Sequence, residues 1–111
     1  MIGAIIKHMS ILIIEDEKKL VSILKRALKG ERYSVEVAYD GKEGLNKAMK
    51  NNYSLILLDI MLPKFSGMDV LKRIRTTENP SKNTPVVLST NLSEEKIIKE
   101  AQAIGIEGYV L

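Results

Sequence analysis

The chain has no cysteine and no tryptophan, a single phenylalanine, a single histidine and three prolines in 111 residues. Without cysteine there is no disulfide, no thiolate nucleophile and no cysteine-ligated zinc or iron–sulfur cluster, which suits a reducing cytoplasm. The lone histidine, His8, lies in the opening "MIGAIIKHMS", where exposure is the expected state, and it receives no role. No uncharged apolar run is long enough to cross a bilayer, and "IGAII" is too short for a secretory signal. Blocks of like charge are missing too. The net charge of +3 is spread as alternating lysines and glutamates, so neither nucleic acid nor membrane is an expected partner.

What remains is the composition of one globular domain with a substantial core. The domain is placed at residues 10–111 and residues 1–9 are read as a leader; His8-Met9 is the dipeptide an NdeI cloning site encodes, which would make Met9 the natural start. Five segments have strand character: "SILII" (10–14), "SVEVA" (34–38), "SLILL" (54–58), "PVVLS" (85–89) and "IEGYVL" (106–111). Helical patterns lie between them. Over 18–29, Leu20, Val21, Ile23, Leu24, Ala27 and Leu28 recur at three and four residues, opposite Lys18, Lys19, Lys25, Arg26 and Lys29, and Gly30 is the expected stop. Asp40 with Glu43 and Ser66 with Asp69 have capping-box spacing, and Ser93 with Glu94 and Glu95 opens a fourth helix. Regular alternation of strand and helix predicts a doubly wound α/β domain with a parallel sheet. The strands at 10–14, 54–58 and 85–89 are almost wholly apolar, as central strands should be, whereas "SVEVA" alternates like an edge.

In such sheets ligands bind beyond the carboxyl ends of the strands. There the first strand runs into Glu15-Asp16, the third into Asp59 and the fourth into Thr90. Each has a plainer explanation: an acid pair before a helix is often a cap, Asp59 could cap the turn toward Pro63, and threonine is a common strand residue. Independent caps have no reason to fall together on the three central strands, so the joint pattern favours a site. Three crowded carboxylates call for a divalent cation, and oxygen-only ligands point to Mg2+, with Mn2+ as a substitute. Phosphate is the natural guest, and Asp59 could attack phosphorus to form an acyl phosphate.

The segments "ILIIEDE" (11–17), "LILLDIMLPKFSGMDVL" (55–71), "TPVVLSTN" (84–91) and "GIEGYV" (105–110) resemble, in this order and spacing, the receiver domain of two-component response regulators. The resemblance covers Ser10 to Leu111. It implies a flavodoxin-like sheet of strand order 2-1-3-4-5 and a phosphoryl group passed to Asp59 from the phosphohistidine of a sensor histidine kinase or histidine phosphotransfer protein. Asp16 would then bind Mg2+ directly and Glu15 mainly through water, and Met61 would add its backbone carbonyl. Thr90 would contact a phosphoryl oxygen, and Tyr109 would turn from exposed to buried, remodelling a protein-interaction surface. The chain would thus autocatalyse its own phosphorylation and dephosphorylation.

Two departures accompany the resemblance. Glu15 stands where the family more often has aspartate. The sequence also stops at Leu111, before the family's lysine and last helix, so a C-terminally incomplete receiver is expected, with apolar sheet surface left open. A longer polypeptide or a second copy would cover that face, the latter as a homo-oligomer, with "MIGAII" available as an added strand. The alternative reading is a truncated or engineered receiver fragment acting only as an interaction or scaffold module. An aspartyl-phosphate phosphatase of the dehalogenase type is disfavoured, because it needs a second acid where Met61 stands.

Overall fold

Ile11, Leu12, Ile13 and Ile14 are all buried, so both faces of their strand are covered and only a central place in the sheet suits it. The computed structural model, which describes residues 9–29, 33–89 and 95–110, puts β1 (Met9–Ile14) there. β2 (Tyr33–Ala38), whose residues alternate in exposure, is an edge. β3 (Leu55–Asp59), β4 (Val86–Ser89) and β5 (Gly108–Val110) complete a parallel sheet of order β2-β1-β3-β4-β5, the flavodoxin-like order expected.

Four helices connect the strands among the described residues: α1 (Lys18–Lys29), α2 (Gly41–Lys50), α3 (Gly67–Thr76) and α4 (Glu95–Ile104). The two capping boxes form. Asp40 Oδ1 accepts the Glu43 N–H at 2.7 Å to start α2, and Ser66 Oγ accepts the Asp69 N–H at 3.2 Å to start α3. Gly30, Ser93, Glu94 and the "MIGAII" segment lie outside the described residues.

Strand alternation divides the core in two. On one face Leu12, Ile14, Ile56, Leu58, Val86 and Leu88 pack against Ala48, Val70, Leu71, Ile74 and Ala101 of α2, α3 and α4. On the other, Ile11 and Ile13 meet Val21, Leu24 and Leu28 of α1. That face carries α1 alone among the described residues. An apolar groove of about 440 Å³ stands open beside α1, lined by Ile13, Leu20, Leu24, Leu57, Val87 and Val110.

Strand limits differ slightly from the sequence pattern. β1 takes in Met9, which the pattern had assigned to the leader. β3 extends through Asp59, because Asp59 stands opposite Ser89 and the Ile60 N–H donates to the Ser89 carbonyl at 3.1 Å. β5 begins only at Gly108, since Ile106 packs against the core while the Glu107 N–H reaches the Val86 carbonyl at 2.8 Å.

The start of α3 is pressed against the end of β3. A Cβ on Gly67 would lie 2.2 Å from the Asp59 carbonyl oxygen, whereas one on Gly108 would meet nothing within 4 Å. Gly67→Ala is therefore expected to cost about 2 kcal/mol or more, a fall in melting temperature of roughly 10 °C. Gly108→Ala should stay within about 0.5 kcal/mol of the wild type. Thermal melting followed by circular dichroism checks both, and equal melting of the two variants would refute the close contact.

Candidate functional site

Side chains alternate along a strand, so the facing of a terminal residue follows from those before it. Glu15 continues the series Ile11, Ile13; Asp59 continues Leu55, Leu57; Ser89 continues Val87. All three therefore emerge on the α1 face at the carboxyl edge of three adjacent strands. The Glu15 N–H donates to the Ala38 carbonyl at 3.0 Å, prolonging the ladder past β1 and holding Glu15 at 6% exposure.

Carboxylate oxygens of Glu15, Asp16 and Asp59 lie within 4.8 Å of one another. They line a cavity of about 160 Å³ together with Glu17, Leu20, Met61 and Ser89. The turn-capping explanation of the acids holds alongside the cluster. Glu15 Oε1 accepts the Glu17 N–H at 3.2 Å, and Asp59 Oδ1 accepts the Met61 N–H at 3.0 Å. Each carboxylate has a second oxygen to offer.

The loop leaving Asp59 is seated on the start of α2. The Gly41 N–H donates to the Pro63 carbonyl at 3.2 Å, and a Cβ on Gly41 would lie 1.8 Å from the Phe65 carbonyl oxygen. Lys64 and Phe65 adopt left-handed backbone, with φ of 51° and 104°. For side-chain-bearing residues such geometry costs on the order of 1–3 kcal/mol each, so the surrounding contacts must enforce it. The outcome is a fixed path for Met61 beside the acids.

Burial, opposed by the Glu17 N–H and reinforced by Asp59 and Asp16, pushes the Glu15 carboxyl up to about 7 from its ordinary 4.5. Burial also raises Asp59 above its ordinary range; the Met61 N–H and Glu15 pull it back, and Asp16 lifts it further. Three acids in one small cavity oppose each other's ionisation. An all-oxygen donor set of this kind fits a hard divalent cation such as Mg2+.

The structure brings together Glu15, Asp16, Asp59 and Met61 from the expected set. Tyr109 stands elsewhere: in register with Leu88, it lies on the opposite face of the sheet and is 43% exposed. Thr90 and its contacts lie outside the described residues. The sequence does not mark Ser89, Glu17 or Leu20 as site residues. Alternation with Val87 carried the signal for Ser89, whereas the helical stripe marked Leu20 as core.

Residues 11–111 match the family model described as the response regulator receiver domain. Among curated relatives, the response regulator ArlR of Staphylococcus haemolyticus is 41% identical over 102 residues, covering 92% of this chain and 45% of its own length. The chain spans less than half the length of the curated relatives it matches. Among solved structures, the chemotaxis protein CheY4 of Vibrio cholerae superposes with a TM-score of 0.85 at 27% identity, covering 95% of this chain and 87% of that one. The CheX-CheY-BeF3-Mg+2 complex from Borrelia burgdorferi gives a TM-score of 0.84 at 25% identity, covering 93% of this chain and 77% of that one.

An acid whose folded pKa is raised binds its proton more tightly in the folded state. Its stabilising contribution is complete below its ordinary value, 4.5 for Glu15, and is lost as pH rises through about 7. With chelator present, the melting temperature should therefore fall between pH 5 and pH 8, and Mg2+ should restore it chiefly at pH 8. Glu15→Gln should raise the metal-free value at pH 8 by roughly 4–8 °C, equivalent to about 1 kcal/mol, and diminish the gain from Mg2+. A metal-free melting temperature that climbs steadily from pH 5 to pH 8 would contradict this electrostatic picture.

Proposed function

Because the chain belongs to the response regulator receiver domain family, we propose that it is the phosphoacceptor of a cytoplasmic two-component phosphorelay, with Asp59 as the acceptor. The donor is the phosphohistidine of a sensor histidine kinase or histidine phosphotransfer protein. A carboxylate oxygen of Asp59 attacks phosphorus, a P–O bond forms, and the P–N bond breaks as imidazole leaves with its electron pair. One observation carries the reading: a half-buried carboxylate ends a central strand with two further acids within 4.8 Å.

Each residue contributes by place. Packing of β3 holds the nucleophile still, and the Met61 N–H at 3.0 Å fixes the plane of its carboxylate. Glu15, Asp16 and Asp59, with the Met61 backbone carbonyl, would hold Mg2+ or Mn2+. When bound, that ion supplies positive charge against the phosphoryl oxygens. The magnesium and beryllofluoride named for the Borrelia burgdorferi complex support this assignment. Thr90, placed by the sequence after β4, is assigned the contact to a phosphoryl oxygen. Tyr109, exposed on β5, is assigned the switch, turning inward as the surface around α4 and β5 is remodelled. The open groove beside α1 is assigned to a further segment of a longer polypeptide or to a second copy.

Intact-mass measurement of the purified chain after incubation with Mg2+ and acetyl phosphate tests the proposal. The expected result is a gain of one phosphoryl group that disappears in Asp59→Asn and on chelation. No gain in the unmutated chain would leave a folded interaction module without a working switch.

A further inference from the structure

α4 is unevenly held. Its apolar packing is similar at both ends, with Ala101 buried and Ile97 and Ile104 half-buried against the core on either side of it, so the unevenness lies in its polar ties. Its polar ties to the rest of the chain, among the described residues, fall in and just beyond its second half. Lys72 of α3 pairs with Glu100 at 3.2 Å, and Arg75 of α3 donates from Nε to the Gly105 carbonyl at 3.1 Å. Arg75 also donates from Nη1 to the Lys82 carbonyl at 2.9 Å. One planar, partly buried guanidinium thereby joins α3, the α3–β4 connection and the end of α4.

The end of α4 needs that partner. Gly105, with φ of 124°, turns the chain out of the helix while its N–H donates to the Ala101 carbonyl at 2.9 Å. The last turn of α4 contains no basic residue, so the cation that favours a helix C-terminus comes from α3. Space there is fitted to the guanidinium: a Cβ on Gly105 would stand 3.3 Å from Arg75 Nε. Beyond Gly105 the chain enters β5, a three-residue edge strand paired with β4 alone.

We propose that Arg75 is the pivot of α4. It fixes the C-terminal end of the helix, so that phosphorylation of Asp59 swings the first turns while β5 keeps its register. The pivot rests on the receiver reading given above. Apolar packing being similar at the two ends, the Arg75 hydrogen bonds decide which end of α4 opens first. Lysine, a point donor on a flexible stem, cannot reproduce the fork.

Amide hydrogen exchange read by mass spectrometry, on the chain with and without acetyl phosphate and Mg2+, tests the pivot, with intact mass measured on the same samples. In the wild type, phosphorylation should change exchange in Ile97 to Lys99 and leave Gly105 and Glu107 as they were. In Arg75→Met, Gly105 and Glu107 should exchange about ten-fold faster before any phosphorylation, the factor set by losing roughly one net hydrogen bond. They should then respond to phosphorylation as well. Amides of α2 should match the wild type, which separates a lost clamp from a general loss of stability. Arg75→Lys should fall between the two, and it carries the same comparison if Arg75→Met does not fold. Wild-type exchange at Gly105 and Glu107 in both variants would overturn the pivot, as would a uniform response along α4 in the unmutated chain. A missing mass gain would overturn the receiver reading and the pivot with it, while faster exchange in unmodified Arg75→Met would still report the clamp.

Discussion

The carboxyl edge depends on β1 and β3 pairing in one register, Ile11 beside Leu55 and Ile14 beside Leu58. A slip of one residue would turn Asp59 into the core beneath α2, α3 and α4 and bring Leu58 out beside Glu15. β1 is apolar on both faces, so its own pattern scarcely resists such a slip. Resistance comes from the far end of the strands, where the Ser54 N–H donates to the Ser10 carbonyl at 2.7 Å and the Ser10 N–H donates to Ser54 Oγ at 3.1 Å. Two small polar residues, a strand's length away, thus help to set where Asp59 points.

Against that frame the acid cluster works as a standing electrostatic load. Glu15 is lifted to about 7 chiefly because the fold buries it, and Asp59 is raised for the same leading reason. Neither acid has a basic side chain within ion-pairing distance among the described residues; the residues that pair with cations are Glu36, Asp40, Glu78 and Glu100, elsewhere on the surface. Two neighbouring acids without a counter-charge among the described residues fit a hard divalent cation. The strained turn at Lys64 and Phe65 belongs to the same economy of position, since it carries the chain from Asp59 onto α2 without crowding the cavity.

Much of this was visible in the residues themselves. The period of two in "SVEVA", the unbroken aliphatic runs of the inner strands and the boxes at Asp40 and Ser66 are local signals, and local physics realised them. Glu15, Asp16 and Asp59 could be gathered because strand ends in a parallel sheet share an edge. What resisted reading was set by register and by long-range contact. Nothing local says that Ser89 stands opposite Asp59, or that Ile106 would pack inward and shorten β5. Arg75 was equally hidden, because its partners are carbonyls of Lys82 and Gly105, which any residue could provide.

The tight seat of α3 on β3 has a genetic corollary. Gly67 touches the backbone of Asp59, and Gly41 touches that of Phe65, so neither position tolerates a side chain without displacing main chain near the site. A screen that scores only loss of signalling would rank these glycines with the acids. Their intolerance would mimic that of a reacting group, although hydrogen is all they present. Alleles at the two positions should therefore be sorted by protein abundance before any role in phosphotransfer is assigned to them.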